Sequence, residues 1–180
     1  MRKQQREAIL ALLEETYMGT ETALNYSTPF ELLVAVIMSA QCTDERVNKI
    51  TARIFPKYNT PEKMGALSQE QLEEEIRDCG LFRSKAKNLL ATCKMLTEEY
   101  NSVIPDTVEE LMKLPGVGKK TANVVASIVY KVPAIAVDTH VFRVSHRLGL
   151  ANGDDPLAVE KELQKAIPKN KWLSLIHISE

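Results

Sequence analysis

Cysteine is scarce in this chain, and the three it has, Cys42, Cys79 and Cys93, are odd in number, far apart and free of any CxxC pair. That argues against a disulfide framework and against a metal site built from cysteine alone, and leaves buried thiols as the expectation. Aromatic residues make up only 6% of the chain, so the core must be aliphatic. Seven glycines and eight prolines among 180 residues are too few for a collagen-like or disordered chain. The longest apolar run, Leu32 to Met38, falls far short of the ~20 residues that a membrane-spanning helix needs. The opening residues, Met1 to Glu7, lack the apolar core of a signal peptide, so a soluble cytoplasmic protein with no membrane partner is expected. Net charge is missing as well: 23 basic residues meet 24 acidic ones, and the overall balance does not mark a nucleic-acid binder.

What is present is uneven charge and a helical rhythm. Residues 60–80 carry six acids against two bases, whereas 81–94 carry Arg83, Lys85, Lys87 and Lys94 with no acid. Between 111 and 147, six bases (Lys113, Lys119, Lys120, Lys131, Arg143 and Arg147) face a single acid, Asp138. These two stretches read either as one phosphate-facing surface on an acidic body or as ordinary solvated helix faces. Apolar residues recur at helical spacing, as in Ile9, Leu12, Leu13, then Val47, Ile50, Ile54, then Leu89, Leu90, Cys93, Leu96. Ser68 with Gln71 and Thr107 with Glu110 have capping-box spacing, and prolines from Pro29 to Pro168 mark boundaries. The reading is all-α, with helices over 2–16, 30–40, 44–57, 61–66, 69–77, 84–100, 107–113, 118–131, 138–149 and 156–167. One extended stretch, Ala134 to Val137, is too short and isolated to found a sheet.

Chemistry concentrates in two places. In Leu114-Pro115-Gly116-Val117-Gly118-Lys119-Lys120-Thr121-Ala122 a turn with two glycines joins two helices. Such a turn lets backbone approach a ligand closely, and it aims the start of the 118–131 helix at a phosphate oxygen; the same pattern also serves as a plain helix–helix turn. Lys120 lies in the first turn of that helix beside Lys119. The helix end and the neighbouring ammonium both favour a neutral amine nucleophile there, while a phosphate-contacting or solvated lysine is the simpler role. Downstream, Val137-Asp138-Thr139-His140-Val141-Phe142-Arg143 puts a carboxylate at a helix start. Asp138 suits an N-cap, a stabiliser of positive charge or a proton acceptor, and these roles can coexist. His140 and His146 lack a third ligand at metal spacing, and Arg143 and Arg147 share a helical face able to touch phosphate.

Taken in order, these segments resemble the helix-hairpin-helix and the Gly/Pro-Asp loop of DNA glycosylases, most closely the endonuclease III family. Phe30-Glu31-Leu32-Leu33 leading to Ser39-Ala40-Gln41-Cys42-Thr43-Asp44, and Gly80-Leu81-Phe82-Arg83-Ser84-Lys85-Ala86, extend the likeness from near residue 1 to about Trp172. The resemblance implies a base-excision repair enzyme, a monomer on double-stranded DNA. It would remove oxidised pyrimidines and cleave the abasic site by β-elimination through a lysine Schiff base. Lys120 would be the nucleophile and Asp138 its electrostatic and proton-transfer aid. Gln41 and Leu81 would fill and wedge the gap left by the extruded base, and Asp44 would line the base pocket. Leu81 without the family is equally a core leucine. Gly116, Gly118, Lys119, Thr121, His140 and Arg143 would hold DNA. The lysine separates this chain from adenine-removing relatives, which lack it. A non-catalytic helix-hairpin-helix binding module and a hydrolytic purine or mismatch glycosylase are the alternatives.

The chain departs from the family at its end. Family members continue into a C-x6-C-x2-C-x5-C loop that holds a [4Fe-4S] cluster, and none of those cysteines is present, so no cofactor is expected. Leu173 to Glu180 does not resemble the family and reads as a foreign tail on a truncated chain, with apolar surface bared near Ile9 and Leu13. The expected architecture is a two-lobe glycosylase fold lacking the cluster loop. One lobe spans 20–131, with the hairpin over about 107–131, and the other is 1–19 plus 132–172. The cleft between the lobes would hold Lys120 and Asp138.

Overall fold

The computed structural model describes residues 3–17 and 22–172, so the expected foreign tail at 173–180 lies outside them. Among the described residues there are α-helices and one 3₁₀ turn and no strand. None of the described helices is long and apolar enough to cross a membrane. The chain divides into two compact units, one formed by Ala23–Val129 and the other drawn from both flanks, Met1–Thr22 and Tyr130–Glu180.

The first unit is built around α2, Pro29–Ser39, which starts with proline at its first position and is capped by the Thr28 hydroxyl accepting from the Glu31 amide. Every residue from Phe30 to Met38 is buried, which is why this stretch reads as a continuous apolar run rather than a stripe. Burial of residues such as Leu32, Leu33 and Met38 contributes roughly 1.5–3 kcal/mol each. Packed around it are α3 (Asp44–Tyr58), which presents Val47, Ile50 and Ile54, and α6 (Phe82–Glu99), which presents Leu89, Cys93 and Leu96. Two short helices, α4 (Pro61–Gly65) and α5 (Gln69–Glu75), pack on α6. At α5 the Ser68 and Gln71 side chains form the reciprocal box their spacing predicts. At α7 (Val108–Leu111) only half of the box exists. Thr107 accepts from the Glu110 amide, but the Glu110 carboxylate turns to the Tyr100 hydroxyl at 2.7 Å and to Lys113. A phenol and an ammonium within reach outcompete one backbone amide.

The second difference lies at α6. The helix begins two residues before the expected position 84, because the Leu81 carbonyl already accepts from the Lys85 amide at 3.0 Å. Lys85, counted above among phosphate-facing bases, is only 5% exposed. Its Nζ donates to the carbonyls of Met38 (2.7 Å) and Ala40 (2.5 Å) and to Sγ of Cys79 (3.2 Å), so all three of its protons are committed at the C-terminal end of α2.

In the other unit, α1 (Lys3–Tyr17), α9 (Thr139–Leu148) and α10 (Pro156–Ala166), with the 3₁₀ turn Lys169–Lys171, enclose a small core of Leu10, Ile135, Val141, Val159, Leu163 and Ile167. On α1 the buried face runs through Leu10, flanked by half-buried Ile9 and Leu13, and Leu12 is 63% exposed, so the apolar stripe is rotated from the expected Ile9–Leu12–Leu13 line. Ala134 to Val137 has no regular secondary structure, and Ala134, Ile135 and Ala136 are buried in this unit.

Because Lys85 satisfies the buried Met38 carbonyl and the part-buried Ala40 carbonyl, Lys85→Met should lower the unfolding free energy by ~2–5 kcal/mol, measured by urea denaturation, while Lys87→Met, exposed on the same helix, should stay within ~0.5 kcal/mol. Equal effects of the two substitutions would rule out this role for Lys85.

Candidate nucleic-acid interface and active site

The glycine turn follows from packing on either side of it. Leu114 and Val117 are buried anchors, and the Val117 amide donates to the Leu114 carbonyl at 3.1 Å, closing the loop. Behind it, Thr92 Oγ1 of α6 donates to the Pro115 carbonyl at 2.9 Å. Gly116 sits at φ +78°, and a methyl group there would press the Asn88 side chain at 2.9–3.1 Å, so glycine is required twice over. Gly118 differs: nothing lies within 4 Å of where its Cβ would be. It faces open space at the threshold of α8 (Lys119–Tyr130), whose ladder begins with the Ala122 amide on the Gly118 carbonyl at 2.9 Å.

Lys120 is exposed on the first turn of α8, with Lys119 and Thr121 half-exposed on either side of it. Asp44, the first residue of α3, is close enough for their charges to interact. Partial burial pushes the Asp44 carboxyl up from its ordinary range, and the Lys120 charge opposes that shift. The structure thus brings Lys120 and Asp44 together although 76 positions separate them in sequence.

Gln41 and Leu81 also meet through their loops. Cys42 donates its amide to the Ser39 carbonyl in the turn leaving α2, which places Gln41 at φ 55°. Leu81, at the entrance to α6, has φ 58° and is 59% exposed, so it is not a core leucine. Gly80 joins the two: a Cβ on it would lie 2.8 Å from the Gln41 carbonyl oxygen, and only glycine allows the loops this close. Left-handed backbone at two bulky residues costs of order 1–3 kcal/mol each, and such strain concentrates at functional sites. The 76–81 segment is held by Arg53, which donates to the Glu75 carbonyl at 3.0 Å and pairs with the Asp78 carboxylate at 3.1 Å.

Asp138, in the other unit, is the N-cap of α9 and accepts from the Val141 amide at 2.7 Å. His140 and Arg143 are exposed on the first turns of that helix, with His140 Nδ1 and Arg143 Nη2 at 3.4 Å. His146 turns back on its own helix through Nδ1 to the Phe142 carbonyl at 2.7 Å.

Sequence reasoning missed Lys85 and Asn88. The signal for Lys85 was available, because it lies on the 85–89–92–93–96 stripe that α6 buries. Asn88 is visible only once the hairpin rests on α6. Cys79 and Cys93 are buried as expected, but Cys42 is only half-buried.

The cluster implied by the family does not fit the residues present. Four thiolates are needed and the chain has three cysteines, of which Cys93 is held inside α6's packing face with its thiol pushed up by burial to about 12. Among the described residues no group of three or more His, Cys, Asp or Glu side chains is arranged for a metal ion. No step proposed below runs through such a group.

Residues 34–169 match the family model of the HhH-GPD superfamily base excision DNA repair proteins. Endonuclease III of Synechocystis is 45% identical over 98% of this chain and 82% of its own length. That of Bacillus subtilis is 49% identical over 93% of this chain and 77% of its own. A trapped endonuclease III–DNA covalent intermediate superposes with a TM-score of 0.93 at 51% identity, covering 98% of this chain and 84% of the other. The chain with the two-glycine hairpin, Lys120 and Asp138 therefore belongs to the HhH-GPD superfamily of base excision DNA repair proteins and, within it, to the endonuclease III family.

Proposed function

We propose that this chain is a bifunctional DNA glycosylase and abasic-site lyase that acts as an intracellular monomer on oxidised pyrimidines in duplex DNA, with Lys120 as its nucleophile. The observation that carries the reading is the exposed Lys120 amine on the first turn of α8, directly after a turn whose second glycine faces open space, with the Asp44 carboxyl in electrostatic reach.

In this reading a DNA phosphate sits at the positive end of α8 and approaches backbone at Gly118, while Lys119 and Thr121 flank it. Arg143 and His140 add contacts from α9. The damaged base leaves the stack, Gln41 and Leu81 occupy the space it vacates, and Asp44 faces the base in its pocket. The Nζ lone pair of Lys120 attacks C1′ and the C1′–N bond breaks, the base leaving with the electron pair and a proton. Loss of the ring oxygen from C1′ gives the Schiff base. Its electron demand acidifies the C2′ proton, whose removal expels the 3′ phosphate. Water then hydrolyses the imine and frees Lys120. Asp138, at the N-cap of α9, stabilises positive charge and relays protons.

Borohydride trapping on an abasic-site duplex should yield a covalent adduct with the native chain and none with Lys120→Ala. Strand cleavage by that variant should fall by roughly 10³-fold or more with duplex binding kept. Full cleavage by the variant would overturn the proposal, and duplex binding by the native chain without any adduct would leave a binding module.

The two glycines should separate folding from binding. Gly118→Ala should leave the thermal midpoint within a degree or two, yet weaken duplex binding about tenfold, whereas Gly116→Ala should destabilise the fold itself. Unchanged affinity of Gly118→Ala, read by fluorescence anisotropy, would remove the phosphate from this turn.

A further inference from the structure

The loops that bear Gln41 and Leu81 share one buried side chain that the reaction above does not use. Lys85 of α6 is 5% exposed, and its Nζ bridges the two loops. On one side it donates to the Met38 carbonyl at 2.7 Å and to the Ala40 carbonyl at 2.5 Å, and Ala40 directly precedes Gln41. On the other it donates to Cys79 Sγ at 3.2 Å, two residues before Leu81. The Lys85 amide also donates to the Leu81 carbonyl at 3.0 Å, so one residue holds Leu81 from both sides along the chain. Gln41 and Leu81 have φ of 55° and 58°, angles that residues with side chains keep only where the surroundings hold them. Arg46 and Arg53 of α3 also grip the second loop, at the Asp78 carbonyl (3.4 Å) and the Asp78 carboxylate (3.1 Å). These contacts stop at one loop, whereas Lys85 reaches both. Lys120 is placed by other means, because its helix follows the hairpin that Leu114, Val117 and the Thr92 bond to Pro115 fix.

We propose that Lys85 is a positioning residue for base extrusion: its ammonium sets the spacing of Gln41 and Leu81, and so governs release of a stacked damaged base more than cleavage at a site that has already lost it. The proposal rests on the reading of Gln41 and Leu81 as DNA-facing. Extruding a base costs its stacking and pairing, and that cost is offset only when the side chains replacing it arrive in register. An abasic sugar has no base to unstack, so it makes less demand on the two loops. A displacement of about 1 Å in groups remote from the reacting atoms is enough to slow a reaction about 10²-fold. Losing a clasp common to both loops therefore slows base release selectively while Lys120 keeps its place.

The test is single-turnover kinetics of the full chain on two duplexes, one carrying thymine glycol and one a preformed abasic site, with base release read by alkaline cleavage. Lys85→Met should slow base release about tenfold or more and abasic-site cleavage by less than about threefold. Met64→Ala, which empties a buried site in α4, is the control for lost stability. It should slow neither step at a temperature where circular dichroism shows both variants folded. Cys79→Ala removes one of the three Lys85 partners and should show the same selectivity at about threefold, which tests the proposal even where Lys85→Met does not fold. In a Gln41→Ala/Leu81→Ala background, Lys85→Met should slow base release by less than about twofold further, because the side chains it positions are gone. A fall of both steps by the same factor, the same selectivity from Met64→Ala, or an undiminished effect of Lys85→Met in the double background would each overturn the role of Lys85. Slow base release in Gln41→Ala/Leu81→Ala with native rates in Lys85→Met would overturn Lys85 alone and leave the two loops DNA-facing. Native base release in Gln41→Ala/Leu81→Ala would remove the DNA-facing reading and the Lys85 proposal with it.

Discussion

The Lys85 ammonium lies where α2 ends, where the helix turns its last carbonyls toward the protein interior rather than toward water. An unpaired acceptor there would cost about 1–3 kcal/mol, and a helix C-terminus is a region of negative potential. One ammonium answers both, donating to Met38 and Ala40 with its third proton on Cys79. The price of burying a charge is several kcal/mol, offset here because every proton is placed and the dipole is favourable. The geometric result matters more than the net energy. The end of α2 and the start of α6 are fastened at one atom, and the loops bearing Gln41 and Leu81 issue from those two places.

That fastening explains how two exposed side chains keep improbable backbone angles. Left-handed φ at glutamine and leucine persists only if the surroundings over-determine it. At Gln41 the Ser39–Cys42 turn and the Lys85 bond to Ala40 set the path on one side, and the contact with Gly80 closes the other. At Leu81 the next helix begins at once, its first bond running from Lys85 to the Leu81 carbonyl. The side chain stays exposed because the backbone is committed. A similar division holds at the hairpin, where Leu114, Val117, Thr92 and Asn88 fix the turn and leave Gly118 and Lys120 facing outward.

The helices, most of their caps and the hairpin were legible in the sequence, because capping and apolar periodicity are local signals. Pro29, Pro61, Ser68 and Asp138 all mark helix starts where the sequence puts them. What stayed hidden depends on which groups meet. Counting charge in 81–94 treats Lys85 as equivalent to Lys87, yet one is buried on carbonyls and the other is exposed. Spacing alone made Glu110 a capping partner of Thr107, but Tyr100 and Lys113 take its carboxylate. The bond from Lys85 Nζ to the Met38 carbonyl joins residues 47 positions apart, and no period in the sequence encodes it. Lys120 was singled out by its place on a helix, whereas its electrostatic pairing with Asp44 emerges only when α3 and α8 fold into one unit.

These commitments bear on how a chain of net charge −1 can hold a polyanion. Several bases are engaged with the protein's own acids: Lys113 with Glu110, Lys49 with Glu45, Arg53 with Asp78, and Lys171 with Glu14. Exposed pairs of this kind contribute little stability, about 0–1 kcal/mol each, but they reduce the positive potential offered to a ligand. Attraction for phosphate therefore has to come from local features that net charge does not record: the positive end of a helix, backbone brought close by a glycine with open space before it, and bases grouped at a helix start. Lys119 and Lys120 on α8 and His140 and Arg143 on α9 are such groups, each at an N-terminal turn where the peptide dipoles add to the side-chain charge. Recognition built in this way uses few charged contacts and much geometry, so the side chains that fix the loops and the hairpin from behind, buried Lys85 and half-buried Asn88 among them, also bear on how DNA is met.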